Sequence, residues 1–147
     1  MTVTGGRPER NTRTLSPVTR RMDTAVKNAL DRGGVIDITT LGARSGTHHR
    51  IEIVFHHFDG SYYITGKPGF KRDWLANLNA NPEFTVHLKG GLTADLSAEA
   101  KEITDEDQRA KVLYRILIES WGNEPAKAEH ILPRWVRDAP LVEFTIG

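Results

Sequence analysis

The segment Gly42 to Arg50 holds the densest set of residues that could do chemistry, with two glycines, Arg44, Ser45, His48, His49 and Arg50 in nine positions. Glycines let backbone N–H groups approach an anion, and arginine and serine side chains complete such a nest for a phosphate. A second basic turn follows at Gly66-Lys67-Pro68-Gly69, with Lys71 and Arg72 close behind at the start of a predicted helix, whose N-terminus also favours anions. Two readings stand side by side: a phosphate-holding pair of turns, or two solvated basic loops.

Other chemistries fare worse. The chain has no cysteine, which excludes disulfides, thiolate metal sites and a cysteine nucleophile. His56 and His57 are adjacent on a predicted strand and point to opposite faces, so they do not share a metal ion; His48 and His49 lack an obvious carboxylate partner. No metal site is expected. Ser45 and Ser61 lack the strand-to-helix elbow of a serine hydrolase. Tyr62, Tyr63, Tyr114, Trp121 and Trp135 read as core or surface filler, and no residue is singled out as catalytic.

These turns must be positioned by the elements around them. Pro17 opens a helix with Val18, Met22, Ala25, Val26, Ala29 and Leu30 on one face, ended by Gly33-Gly34. Val35–Thr40 and Arg50–Phe58 read as strands. Asp59-Gly60 is a two-residue hairpin that sets Phe55 opposite Ile64 and His57 opposite Tyr62. Lys71–Ala80 reads as a helix stopped by Asn81-Pro82. In the next strand Phe84, Val86 and Leu88 point in, while Thr85, His87 and Lys89 point out. A three-residue loop, Gly90 to Leu92, then pairs Leu88 with Ala94 and Val86 with Leu96 and keeps Asp95 off the core. Thr104 caps a helix running to about Trp121, a second helix spans Glu124 to Arg134, and Leu141–Ile146 closes the chain as a strand. Six mostly antiparallel strands in one domain should curl into a barrel, which removes exposed edges.

The 147 residues suit one domain, with 38% hydrophobic and 27% charged side chains. The net charge of +1 hides a basic front, where residues 1–50 carry nine Lys and Arg against four Asp and Glu. Residues 91–147 carry seven against eleven. Residues 1–16 read as a flexible basic tail and 17–147 as the folded domain. No aromatic-interleaved basic stripe suggests nucleic acid. A peripheral membrane contact of the first helix is possible but not expected, and neither a span nor a signal peptide is expected, so the cytoplasm is the expected location. Oligomeric state is not legible.

Taken in order, Thr39-Thr40-Leu41-Gly42-Ala43-Arg44-Ser45-Gly46, Arg50, Thr65-Gly66-Lys67 and Trp74-Leu75-Ala76-Asn77-Leu78-Asn79-Ala80-Asn81-Pro82 resemble the deazaflavin (F-420)-dependent nitroreductase family of actinobacteria. The likeness covers roughly residues 35 to 103. It implies a mainly β, six-stranded split β-barrel of the FMN-binding type with flanking helices. It also implies coenzyme F-420, an 8-hydroxy-5-deazaflavin with a phosphate and an acidic tail, and hydride transfer to a small electron-poor enone, quinone or nitroarene. Matched by position, Arg44, Ser45, Arg50, Gly66, Lys67, Trp74 and Asn77 are the implied cofactor-binding residues. The sequence departs at Ala43-Arg44, where the family carries two basic residues, and at Arg72-Asp73, where it carries Asn-Pro. The alternatives are an FMN-binding oxidoreductase on the same barrel and a non-catalytic carrier of a flavin-like or lipid-like ligand.

Overall fold

The structure, a computed structural model, describes residues 17–147, with side chains from Thr24 onward. The tail over residues 1–16 and the side chains of Val18 and Met22 lie outside the described residues. In chain order the elements are α1 (Pro17–Arg32), β1 (Gly34–Leu41), β2 (His48–Phe58), β3 (Ser61–Thr65), α2 (Asp73–Ala80), β4 (Glu83–Leu88), β5 (Ala94–Glu102), α3 (Glu106–Arg115), a π turn (Ile116–Ser120), α4 (Pro125–Asp138) and β6 (Leu141–Ile146). The strands close into a barrel in the order β1-β2-β3-β6-β5-β4, and every pairing is antiparallel.

Both hairpin registers follow from local chemistry. Phe55 faces Ile64 and His57 faces Tyr62 across Asp59 (φ 52) and Gly60 (φ 83), the two left-handed residues that such a turn needs. Leu88 faces Ala94 and Val86 faces Leu96, leaving Asp95 exposed. One residue of slip would have carried Asp95 inward and Leu96 outward.

The interior holds Ile36, Ile38, Phe55, Ile64, Phe84, Val86, Leu88, Val142 and Phe144, with Val26 and Leu30 of α1 and Trp74 and Leu78 of α2 joining the same cluster. Phe144 is its hub, with ring centroids 6.0 Å from Phe55, 5.5 Å from Tyr62 and 5.6 Å from Phe84. Such aromatic pairs add about 0.5–1.5 kcal/mol each beyond burial. Ala25, expected on the inner face of α1, is exposed at its edge. A second apolar layer lies outside the barrel, where Tyr63 of β3 and Leu141 of β6 meet Leu113, Ile116, Leu117, Ala128 and Trp135 of the C-terminal helices.

Three local expectations are corrected. Asp105, not Thr104, caps α3, because its carboxylate accepts the Gln108 N–H at 2.9 Å, a charge-assisted bond. Helix α4 continues through Pro133 to Asp138, past the expected end at Arg134. Proline costs the bond its missing N–H would have made, but the extension buries Trp135 and delivers the last carbonyls of the helix to Arg109. His87 points outward as expected yet is buried, because Nε2 lies 2.7 Å from Thr39 Oγ1 and Nδ1 lies 2.7 Å from Asp95 Oδ1.

Helix α2 crosses the barrel end at which β1 and β3 finish. Asn77 fastens it there. Its Nδ2 donates to Thr40 Oγ1 at 3.0 Å, and its Oδ1 accepts the Ala43 N–H at 2.9 Å. Asn77→Ala leaves a buried hydroxyl and a loop N–H unpartnered, and is expected to cost about 2 kcal/mol in urea unfolding, with Asn77→Asp costing less because it keeps an acceptor for the Ala43 N–H.

Candidate functional site

The barrel is split along one edge of β2. Its first edge pairs with β1 over the whole run from His48 to Phe55, but β3 pairs only with Phe55–Phe58 before leaving at Thr65. From His48 to Val54 the second edge of β2 has no strand partner among the described residues. Seven residues at about 3.3 Å each make an open edge of roughly 20 Å. Backbone N–H and C=O groups facing that opening are ready to bond a ligand.

At one end of this edge stands the loop between β1 and β2. Gly42 N–H donates to Thr47 O at 2.7 Å, Gly46 N–H donates to Gly42 O at 3.1 Å, and Thr47 N–H donates to Ser45 Oγ at 3.2 Å. With Ala43 N–H held by Asn77, most loop donors are spent internally. The N–H groups of Arg44 and Ser45 have no partner among the described residues. The glycines therefore close the loop on itself, in place of the expected backbone nest. A Cβ on Gly42 would collide with Ser45 Oγ and stand 2.9 Å from His49 Nε2, so this glycine makes room for the Ser45 hydroxyl.

Near the other end, Lys67 leaves β3 through Gly66 and places Nζ 5.8 Å from the centroid of the Trp121 ring. The Arg72 guanidinium lies over Gly66, 2.5 Å from where a Cβ would be, so any side chain at position 66 displaces it. Partial burial lowers the pKa of that guanidinium. Beside Trp121 a cavity of about 520 Å³ is lined by Gly33, Val54, His56, Thr65 and Ser120, among others. Val54 and Trp121 give it an exposed apolar wall.

The sequence-predicted residues thus fall into three groups. Arg44, Ser45 and Lys67 are exposed, and neither Arg44 nor Lys67 pairs with a carboxylate among the described residues. Arg50 is exposed on the outer wall, where its Nε donates to Asp37 Oδ2 at 3.0 Å. Lys89 bonds the same carboxylate, and the two cations hold Asp37 below the usual carboxylate range, Lys89 contributing more. Trp74 and Asn77 are buried, one in the core and one clasping the loop, so the structure does not bring them to the surface that carries Arg44 and Lys67. His57 has Nε2 3.5 Å from Asp31 Oδ1.

Residues that the sequence did not single out complete the site: Trp121, Ser120 and His56. His56 Nδ1 lies 2.9 Å from Ser120 Oγ, and burial pushes the imidazole pKa down to about 4. Because the unfolded chain binds a proton near its ordinary value of 6.5 while the folded chain does not, acidification favours unfolding. The contribution is fully present above that value and is lost as pH falls toward 4. His56→Phe removes it, and the parent is expected to lose about 2 kcal/mol more than the variant between about pH 8 and about pH 5. Urea melts at both pH values check this. Among the described residues no three His, Asp or Glu side chains stand close enough to hold a metal ion, and no helix is long and apolar enough to cross a membrane.

Solved structures with the same architecture include a conserved hypothetical protein of Mycobacterium tuberculosis, with TM-score 0.66, 14% identity, and coverage of 95% of this chain and 86% of that one. They also include an F-420-H2 dependent reductase, with TM-score 0.53, 22% identity, and coverage of 76% and 94%. A third is HutZ, a heme storage protein of Vibrio cholerae, with TM-score 0.59, 11% identity, and coverage of 85% and 89%. At these identities the likeness shows the split-barrel fold. No curated protein matches the chain. The chain is of the deazaflavin-dependent reductase class. Residues 11–136 match the family of F-420H(2)-dependent quinone reductases, and the chain belongs to that family. It is an oxidoreductase that uses coenzyme F-420 and acts on a small molecule.

Proposed function

We propose that the deazaflavin lies along the open edge of β2, its ring beside Val54, Gly66 and Trp121 and its acidic tail toward Arg44 and Ser45, and that the acceptor is a quinone or a similar electron-poor carbonyl compound. The observation that carries this reading is the unpaired edge His48–Val54, bounded by Arg44 and Lys67, cations with no carboxylate partner among the described residues. The donor set fits an elongated, acidic, flat ligand: two such cations, two uncommitted N–H groups, a strand edge and an apolar wall.

When bound, the reduced cofactor supplies a hydride, and the chain supplies placement. Lys67 and Arg44 hold negative charge at points where no carboxylate competes. Val54 and Trp121 give the ring and acceptor an apolar surface that limits water, and the edge of β2 fixes ring height through backbone bonds. Trp74 and Asn77 support this from beneath, by anchoring α2 and the loop that presents Arg44.

Amide NMR tests the placement. Adding oxidised F-420 to the full chain is expected to shift amides of residues 44, 45, 48–54, 66 and 67 most. Shifts centred instead on the cavity lined by Arg72, Leu75, Arg109 and Val136 would move the site to the gap between α2 and α4.

A further inference from the structure

The reduction places negative charge on the acceptor oxygen, and some group must meet it. We propose that the Ser120 hydroxyl is the hydrogen-bond and proton donor to that oxygen, with His56 as the positioning residue that turns the hydroxyl toward the cavity. The inference rests on the proposed placement of ring and acceptor along β2.

Three observations converge. The first is local geometry. Residues 116–120 form a π turn, closed by the Trp121 N–H to Ile116 O bond of 3.1 Å, and such turns recur at functional sites because one extra residue re-aims the side chains beyond it. Here the turn keeps Ile116 and Leu117 buried while it presents Ser120 and Trp121 at the cavity. The second is the His56 pairing. The ring is buried, stacks parallel to Phe58 with centroids 6.3 Å apart, and has Nδ1 2.9 Å from Ser120 Oγ. Its Nε2 has no partner among the described residues. Burial keeps the imidazole neutral at ordinary pH, so it carries a single N–H; with that hydrogen on Nδ1, it donates to Ser120 and leaves the hydroxyl hydrogen free to face the cavity.

The third is that the other hydroxyl, imidazole and carboxylate side chains of the lining are committed, while the Arg32 guanidinium at its rim is exposed and has no partner among the described residues. Thr65 donates to Pro140 O, His57 is bonded to the Asp31 carbonyl, and Glu119 is paired with Arg115. Ser120 is the hydroxyl of the lining that remains.

The step balances. With a quinone, an O–H bond forms at one carbonyl oxygen from the transferred hydride, the conjugated π pairs shift to place the negative charge on the other carbonyl oxygen, and the acceptor is reduced by two electrons as the cofactor is oxidised. The O–H bond of Ser120 breaks as the second O–H bond forms on the acceptor. Water at the exposed end of the turn returns a proton to Ser120, and solvent regains one as the cofactor is oxidised.

The test uses the full chain, Ser120→Ala, Ser120→Thr and His56→Phe, with F-420 as cofactor and menadione as acceptor. For Ser120→Ala we expect kcat to fall at least tenfold with KM changed much less, F-420 affinity unchanged, and Ser120→Thr to recover most of the rate. His56→Phe keeps the stack on Phe58 and is expected to lower kcat in the same manner. Two readouts need no turnover. Nitrogen-15 NMR of the parent should show a neutral His56 protonated at Nδ1, with a shift that moves in Ser120→Ala. The oxyanion mimic 4-nitrophenolate should bind Ser120→Ala, loaded with oxidised F-420, at least tenfold more weakly than it binds the parent. An active parent whose kcat and 4-nitrophenolate affinity survive Ser120→Ala overturns this proposal alone. A parent that does not bind F-420 overturns the placement beneath it.

Discussion

Replacing Lys67 with glutamate is expected to weaken F-420 binding by roughly a hundredfold, because a charge-assisted contact contributes about 1.5–3 kcal/mol and reversal adds repulsion. The size of the effect follows from the surroundings of Lys67. No carboxylate among the described residues neutralises it, and its ammonium stands over the Trp121 ring at the end of the open β2 edge. The matched control is Lys101→Glu. Lys101 sits on β5, three strands from β2 in either direction around the barrel, and makes the same change in net charge. Fluorescence titration of oxidised F-420 into the three proteins separates a local contact from a general loss of positive charge. Equal losses for both variants would mean that Lys67 acts only through net charge. Arg50→Ala is expected to matter less than Lys67→Glu, since Arg50 already gives a bond to Asp37.

Removing Arg109 is expected to be the most destabilising single change, about 4 kcal/mol for Arg109→Leu, a large share of the 5–15 kcal/mol that stabilises a typical domain. Arg109 is buried, and its guanidinium ties α3 to both neighbours. Nε donates to Val136 O at 2.8 Å, one terminal nitrogen to Ile103 O at 2.9 Å, and the other to Trp135 O and Ala139 O. Three of those carbonyls end α4, where a helix leaves acceptors unpaired and gathers partial negative charge, so the fixed cation caps the helix from the side. Leucine keeps the apolar volume and leaves the Ile103, Val136 and Ala139 carbonyls without the guanidinium, while Trp135 O keeps the Ala139 N–H at 2.9 Å. Urea melts of Arg109→Leu and Arg109→Lys check this, with lysine expected to recover only part, because one ammonium cannot reach all four oxygens. A loss below about 1 kcal/mol for leucine would show that water replaces the guanidinium. Because α3 and α4 flank the π turn that presents Ser120 and Trp121, the same variant should loosen the cavity while leaving Arg44 in place.

The features legible in the sequence were those that local chemistry decides. Asp59-Gly60 and the alternation on either side of Gly90-Gly91 fixed two hairpins, because turn geometry and a half-buried face admit only one register. The six strands and their closure followed. Long-range pairings left no such trace. Asp37 claims Arg50 from thirteen residues away, and His56 meets Ser120 across 64. The π turn has no sequence signature, so Trp121 read as filler. Its place between a polar Ser120 and a Gly122 with φ 68 was the available hint that a helix ended there with its aromatic exposed. Trp74 and Asn77 matched the family by position, and only packing reveals that Trp74 sits in the core and Asn77 clasps the loop from beneath. The second C-terminal helix, expected to end at Arg134, runs on past Pro133 to Asp138, because burial of Trp135 outweighs the bond that proline removes.

The central claim is that this barrel holds the long acidic deazaflavin in preference to a shorter flavin, through cations at the two ends of one open strand edge. Paired titrations of oxidised F-420 and FMN, at low and high ionic strength, test it most directly. F-420 is expected to bind more tightly at low salt, with a margin that shrinks as salt rises, since exposed charges are screened over about 8–10 Å. A protein that binds FMN more tightly than F-420 at both ionic strengths would contradict the account.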